Sequence, residues 1–493
     1  MDALTVSPGG VLEVRNVRKG RSLYTSRLVK GGEIIIDEAP LLLLVAPEMA
    51  QSTCIACLRA VRPKERIECS VCFQACFCSP SCQLVAQGTP WLHSVPLCSA
   101  YKQLAALGLS TDDQAQLRYL LHALALRHAG TPESERRFAA LCSLVGEPTE
   151  AEHAVAGRLA PYLKAILAGL NAVESFSLSG EELAMLLRKE QLNSYGVLAS
   201  QQQVAAAAAL QIGISGVCGS GGGTTCGGGV SAGCSSNNGG AEMTPGEGED
   251  GERRLRGSAL YAQASLVNHE CLPNVARFDF FDSSRSNSTH VTFRALHDLP
   301  PGTELAQSYV PLHWSLAERQ AQCRDVYGFD CTCPRCQTES QWNDDEGEDD
   351  DESEWETDTS DEDLETDDAA VAAAGEAATE QSRDAGDPGP CGDQEVEMQD
   401  AQPIVRAPPG EEGPLEPTYL RLFLLKYMCA APGCFGTAAP VKPGSTLLEC
   451  NVCGRTRSER EFLRELERSQ QQQLQLQLQL QQKKSTTRPR SVR

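Results

Sequence analysis

The chain has 493 residues, of which 41% are apolar, with a net charge of −23 and 22 cysteines. That length and apolar fraction exclude a wholly disordered chain and allow two or three domains. Seventeen of the 66 acidic residues, and no basic ones, lie between Asp344 and Asp368, so the charge marks one segment; outside Lys483 to Arg493 no basic cluster supports binding to nucleic acid.

The first thirty residues alternate charge and apolarity, unlike a secretory signal, and the apolar run from Leu41 to Ala46 is too short to span a bilayer. A soluble intracellular protein is expected. Val11 to Ile36 alternates well enough for short strands joined by a turn at Gly31-Gly32. A cysteine-rich block from Cys54 to Cys98 then interrupts the fold to which those strands belong. Between Thr111 and Val173 the spacing of Leu117, Leu120, Leu121 and Leu124, and of Ala154, Leu159, Tyr162, Leu163 and Ile166, predicts amphipathic helices with core-facing stripes. Residues 213–251 are dominated by Gly, Ser and Thr and read as a flexible insert; its Cys218, Cys226 and Cys234 lack the close pairing of metal ligands. Strands are expected again at Ser265 to Val267, Ala276 to Phe281 and Val291 to Arg294, and a helix from Leu316 to Val326. Residues 337–416 form an acidic, then Ala/Gly/Pro-rich linker, 417–467 fold again, and 468–493 are a Gln-rich tail with a basic end.

In a reducing compartment, closely paired cysteines bind metal more readily than they form disulfides. Cys54 and Cys57, Cys69 and Cys72, Cys78 and Cys82, then His93 and Cys98 supply eight ligands in 45 residues, enough for two tetrahedral zinc sites. A block so short and poor in bulky apolar residues folds on its metal. Cys76 is a spare thiol that competes with His93. Cys331, Cys333 and Cys336 need a fourth ligand, for which Cys271 and Cys323 compete. Cys429, Cys434, Cys450 and Cys453 have the paired layout of a small zinc ribbon.

Three more motifs fall in one order: Asn268-His269-Glu270-Cys271-Leu272-Pro273-Asn274, then Glu304-Leu305 with Ser308-Tyr309, then Tyr327, Phe329 and the Cys331 to Cys336 cluster. With the split by the first cysteine block, this order resembles the SET and MYND family of protein-lysine methyltransferases. The resemblance implies an α+β, zinc-rich fold: a β-rich SET fold in two parts (11–53 and 186–312) split by a MYND zinc finger (54–98) and a helical insert (99–185). A post-SET zinc site (313–336) follows, and the C-terminal ribbon and helix lie beyond it. It implies that the finger's ligand pairs interleave, first with third and second with fourth, and that Cys271 completes the post-SET site. Three structural zinc ions are thus expected, with a fourth in the ribbon.

The same resemblance places S-adenosylmethionine against Lys19, Gly20, Arg21, Asn193, Asn268, His269 and Tyr327. Tyr309 is the expected catalytic residue, with Tyr309, Tyr327 and Phe329 lining the lysine channel. Ser22 stands where the family has a glycine, which suggests crowding or a strained backbone at the cofactor, and Glu270 stands where serine is common. Methyl transfer is an in-line displacement, so its rate comes largely from alignment. The lysine, with an ordinary pKa of about 10.4, must lose its proton, and an apolar aromatic channel helps by desolvating the charged form. The expected partners are a protein substrate with a lysine in an extended segment and proline-containing peptides at the finger, with no nucleic acid and no membrane. A monomer in the nucleus, the cytoplasm or both is expected. The rival reading is a non-enzymatic MYND adaptor or transcriptional co-regulator with a degenerate SET fold.

Overall fold

The computed structural model describes residues 12–17, 20–170, 178–199, 254–342 and 415–464, with 466–468, 471 and 475 beyond. Lys19, the Gly-rich insert with Cys218, Cys226 and Cys234, the acidic segment and nearly all of the Gln-rich tail lie outside these residues. Residues 341 and 342 aside, the described residues belong to one compact unit.

The chain opens with an antiparallel hairpin, β1 (Leu12–Val17) on β2 (Gly20–Thr25). The expected turn at Gly31-Gly32 exists, but it does not join two paired strands. Next comes β3 (Ile34–Glu38), which pairs instead with a strand more than 250 residues later. Strand β4 (Leu42–Val45) is buried along its whole length, and its side chains divide by parity. Leu43 and Val45 enter the core formed with the finger, whereas Leu42 and Leu44 enter a second core made by helices. The unbroken apolar run therefore reflects a strand covered on both faces.

The cysteine block contains β5 (Ile67–Glu68), β6 (Cys76–Phe77) and helix α1 (Pro80–Gly88), whose Ser79 hydroxyl caps the amide of Cys82. Cys98 lies inside the next helix, α2 (Val95–Ala105), so the last ligand expected in the cysteine block is also a helical core residue. The helical insert continues with α3 (Thr111–His128), α4 (Pro132–Ser143), α5 (Glu150–Gly169) and α6 (Gly180–Asn193). Nine residues of α3 are buried, so it runs through the middle of the bundle instead of along its surface. In α5 the stripe is Ala156, Leu159, Leu163, Ile166 and Leu167, and Ala154 faces solvent. Thr149 with Glu152 and Ser179 with Glu182 form capping boxes at the starts of α5 and α6, each worth about 1 kcal/mol.

The β-rich part resumes with β7 (Ser194–Leu198) and β8 (Leu255–Leu260), giving an antiparallel sheet in the order β4-β8-β7. Ser265 to Val267 is not a strand. Ala264–Leu266 is a 3-10 turn, and the half-buried Glu38 carboxylate accepts the amides of Ala262, Gln263 and Ala264 at its start. The strand begins just after it as β9 (Asn268–His269). There follow β10 (Val275–Asp279), β11 (Val291–Ala295) and β12 (Ala306–Gln307); β10, β11 and β3 form one antiparallel sheet, and β12 pairs parallel with β9. Helices α7 (Leu316–Asp325) and α8 (Pro334–Glu339) carry the chain past the third cysteine group.

At the C-terminal end α9 (Pro417–Tyr427) precedes a three-stranded antiparallel sheet, β13 (Ala438–Pro440), β14 (Leu447–Cys450) and β15 (Thr456–Ser458). This region packs on the β10-β11 face through Phe278, Leu296, Leu420, Phe423, Tyr427 and Ala439. Arg294, almost fully buried, stacks on Phe278 and pairs with Glu449 at 2.8 Å. Gly32, at φ +86, lies so close to the β13-β14 hairpin that a Cβ there would stand 2.4 Å from the Lys442 carbonyl. No helix among the described residues is long and apolar enough to cross a membrane.

Candidate active site and metal centres

Among the described residues, four groups of four ligand atoms come together, each with all its atoms within 4.8 Å of one another: Cys54, Cys57, Cys78 and Cys82; Cys69, Cys72, His93 and Cys98; Cys271, Cys331, Cys333 and Cys336; Cys429, Cys434, Cys450 and Cys453. Zn–S bonds of about 2.3 Å in a tetrahedron imply S···S separations of roughly 3.8 Å. Cys57 and Cys78 lie 3.7 Å apart, Cys69 and Cys98 3.6 Å, Cys271 and Cys336 3.6 Å, and Cys434 and Cys450 3.7 Å. These spacings suit a shared ion, not a disulfide, whose sulfurs stand about 2 Å apart. His93 Nε2 is 3.5 Å from the Cys72 sulfur, whereas the Cys76 thiol turns away to the Thr53 carbonyl. Cys323 is buried beside the third group but does not belong to it.

The third group stands behind an aromatic cluster. In β9, His269 accepts the Tyr309 amide at Nδ1 (2.9 Å), so in the neutral ring Nε2 carries the proton and points at the Cys271 sulfur 3.3 Å away. The rings of His269 and Tyr309 lie 5.2 Å apart, Tyr309 and Tyr327 4.9 Å, and His269 and Phe329 5.9 Å. The Tyr309 hydroxyl donates to the Val267 carbonyl at 3.1 Å. Burial pushes the phenols of Tyr309 and Tyr327 well above the ordinary value of 10, so both stay neutral at physiological pH. Tyr195, at the start of β7, accepts from Gln307 and donates to the Ala264 carbonyl, tying the 3-10 turn to β12. Asn274 completes the scaffold: its side chain accepts the Ala306 amide and donates to the Glu304 carbonyl.

The predicted cofactor residues fall into two contacts. Asn268 donates to the Ser22 hydroxyl, to Glu304 at 3.2 Å and to the Arg21 carbonyl at 3.4 Å. Asn193 donates to the carbonyls of Val145 (2.7 Å) and Lys189 (2.8 Å), and Arg21 reaches the Ser143 carbonyl. The last residue of α4 and the loop after it therefore bridge Arg21 and Asn193. Gly20, at φ +94, has open space where a Cβ would stand. Ser22 overturns the expectation of strain. It lies in β2 opposite Arg15, and among the described residues the only non-glycine positions with positive φ are Leu58 and Phe73.

Sequence reasoning missed Arg319, Arg335 and Glu339. Arg319 is fully buried in α7, and its Nε lies 3.3 Å from the Cys271 sulfur. Arg335, between Cys333 and Cys336, donates to Glu339 at 2.7 Å and to the Leu312 carbonyl at 2.8 Å. The available signal was helical spacing: Arg319 shares a face with Leu316 and Cys323, and Arg335 with Glu339.

The SET domain family model matches residues 20–310. Over 463 residues, 90% of this chain and 94% of the relative, the chain is 29% identical to the Arabidopsis thaliana protein named histone-lysine N-methyltransferase ASHR2. Two human relatives match over a shorter stretch. Histone-lysine N-methyltransferase SMYD3 is 39% identical over 85 residues, 17% of this chain and 18% of that one; N-lysine methyltransferase SMYD2 is 33% identical over 93 residues, 19% and 20% of the two chains. The chain thus spans less than a quarter of these human relatives but nearly all of the plant protein. With more than half of its length matched by the family model, the chain belongs to the SET domain family.

Proposed function

We propose that the protein is an S-adenosylmethionine-dependent protein-lysine N-methyltransferase acting on histone or non-histone proteins. The observation that carries this reading is the setting of Tyr309. Its amide is fixed by His269 and its ring packs on Tyr327, while the neighbouring residue, Asn268, contacts the Gly20–Ser22 strand start. The residues present fit the cofactor: open space at Gly20, an amide at Asn268, and neutral aromatic rings that suit a sulfonium cation. When bound, S-adenosylmethionine supplies an electrophilic methyl group. Gly20, Arg21, Asn193, Asn268, His269 and Tyr327 would hold it, and Lys19 would join them from outside the described residues.

The substrate lysine enters as an extended segment, and the rings of Tyr309, Tyr327 and Phe329 strip water from its amine and favour the neutral form. The neutral Tyr309 hydroxyl orients that amine and faces the charge that moves during transfer. The four Cys/His groups fit Zn2+ in ligand type, number and spacing. We assign the first two to a MYND finger open to proline-containing peptides, the third to a post-SET centre, and the fourth to a structural ribbon. The adaptor alternative drew on Ser22 and Glu270, and the ordinary strand conformation of Ser22 removes the backbone-strain part of that argument.

Calorimetry with S-adenosylmethionine, alongside methyl transfer to a histone mixture, tests the reading. The expected result is saturable binding by the wild type, weakened at least about tenfold in Asn268→Ala. Tyr309→Phe should bind normally and turn over roughly a hundredfold or more slowly. A folded, zinc-loaded wild type that binds no cofactor overturns the proposal in favour of the adaptor.

A further inference from the structure

Arg319 is the largest side chain wholly removed from solvent in the described molecule. Its Nε lies 3.3 Å from the Cys271 sulfur and a terminal nitrogen lies 3.8 Å from the Cys336 sulfur. The other donors reach the Trp314 carbonyl at 2.6 Å and the Glu339 carboxylate. Glu339 also takes the second buried arginine, Arg335, which reaches back to the Cys271 carbonyl at 3.3 Å. Two guanidinium groups and one carboxylate leave one net positive charge in the interior, which is unfavourable unless an anion faces it. Four thiolates around a divalent cation carry two negative charges, and Arg319 points at two of those sulfurs. Ionised and metal-bound, the group supplies the anionic face that this buried positive charge requires.

The same Cys271 sulfur receives the His269 Nε2–H, and His269 Nδ1 receives the Tyr309 amide. We infer that Arg319 is a positioning residue for methyl transfer. By setting its positive charge against the third metal centre it holds the Cys271 thiolate as a hydrogen-bond acceptor, which fixes the His269 ring and, through it, the backbone of Tyr309. Arg319 touches neither substrate nor cofactor. Groups that orient metal ligands from behind commonly change metal affinity by one to two orders of magnitude. This inference rests on the reading of the third group as a metal centre.

Native mass spectrometry after timed exposure of the full chain to a chelator reads it directly, with Arg319→Met, Arg319→Lys, Glu339→Gln and Cys333→Ser beside the wild type. Arg319→Met is expected to lose one zinc ion roughly ten to a hundred times faster than the wild type. The other ions should leave at unchanged rates, and kcat should fall while KM for the protein substrate holds. Arg319→Lys, which keeps the charge but not the fork, should recover part of both effects. Glu339→Gln, a milder change, should shift both in the same direction even if Arg319→Met fails to fold. Wild-type zinc release in folded Arg319→Met, or accelerated release with undiminished kcat, overturns the inference. A wild type whose zinc count does not drop on Cys333→Ser defeats the metal reading itself, and the inference with it.

Discussion

His122 shows how one side chain joins the finger to the helical insert. From the middle of α3 its Nδ1–H donates to the Trp91 carbonyl at 2.7 Å, and its Nε2 accepts the Tyr101 hydroxyl at 2.6 Å. The Tyr101 contact needs the neutral ring, and burial pulls the His122 pKa down to about 4. Because the folded value lies below the ordinary 6.5, the stability it contributes is complete above pH 6.5 and is lost as pH falls toward 4. At pH 5 the loss is about 2 kcal/mol. Urea unfolding of the wild type and His122→Phe at pH 7 and pH 5 checks this: the variant is weaker at pH 7 but should lose less on acidification, and equal losses would refute the assignment. At this scale the cysteines and the Asn268-His269 and Tyr309 motifs were legible in the sequence, because close pairing and fixed order constrain them locally. Arg319 was not. A lone arginine in a polar helix reads as a solvated charge until a partner 48 residues earlier, Cys271, is placed beside it.

Strand β4 and the turn after β8 show where element-level reading stopped. A four-residue apolar run does not reveal whether it forms a strand or a helix segment, and β4 is fixed as a strand only by its pairing with β8. Ser265 to Val267 has strand-like composition, but the Glu38 carboxylate, from more than 220 residues earlier, gathers three successive amides into a turn. Gly31-Gly32 was correctly a turn, and its purpose lies in the β13-β14 hairpin that packs on it. Gly32→Ala should therefore destabilise the fold by roughly 2 kcal/mol or more, since it combines an unfavourable φ with a backbone collision. Gly302→Ala is the control, with a similar φ of +80 and nothing near its Cβ position, and should show only the conformational part. Denaturant midpoints and hydrogen exchange across β13 and β14 measure both. Similar losses, with the hairpin equally protected, would refute the role given to the contact.

Across the described molecule the four Cys/His groups sit at the joints. The cysteines of residues 54–98 share a core with β3, β4 and β11, and Cys98 lies inside the helical insert. The third group ties the loop bearing Asn268 and His269 to the segment bearing Tyr327 and Phe329. Cys333→Ser should accordingly weaken S-adenosylmethionine binding, although Cys333 has no expected contact with the cofactor; unchanged affinity in calorimetry would sink this prediction. Chelation of all the zinc should remove the cooperative thermal transition of the cysteine block and the helical insert together, because Cys98 lies inside α2 and His122 of α3 holds the Trp91 carbonyl. A calorimetric trace in which the helices melt unchanged without metal would argue against that coupling.

The two-faced burial of β4 carries a consequence for how the chain finds its register. A strand that is apolar on one side rejects a one-residue slip, because the slip would turn its oily face to water. In β4 a slip would exchange Leu42 and Leu44 for Leu43 and Val45, and either arrangement would satisfy both cores. Hydrophobicity is silent on the choice, so alignment falls to polar pins at its edge: Arg137 grasping the carbonyls of Pro40 and Leu41, the Leu41 amide on the Leu260 carbonyl, and Glu38 on the turn after β8. The greasiest strand of the protein is kept in step by its few charged neighbours.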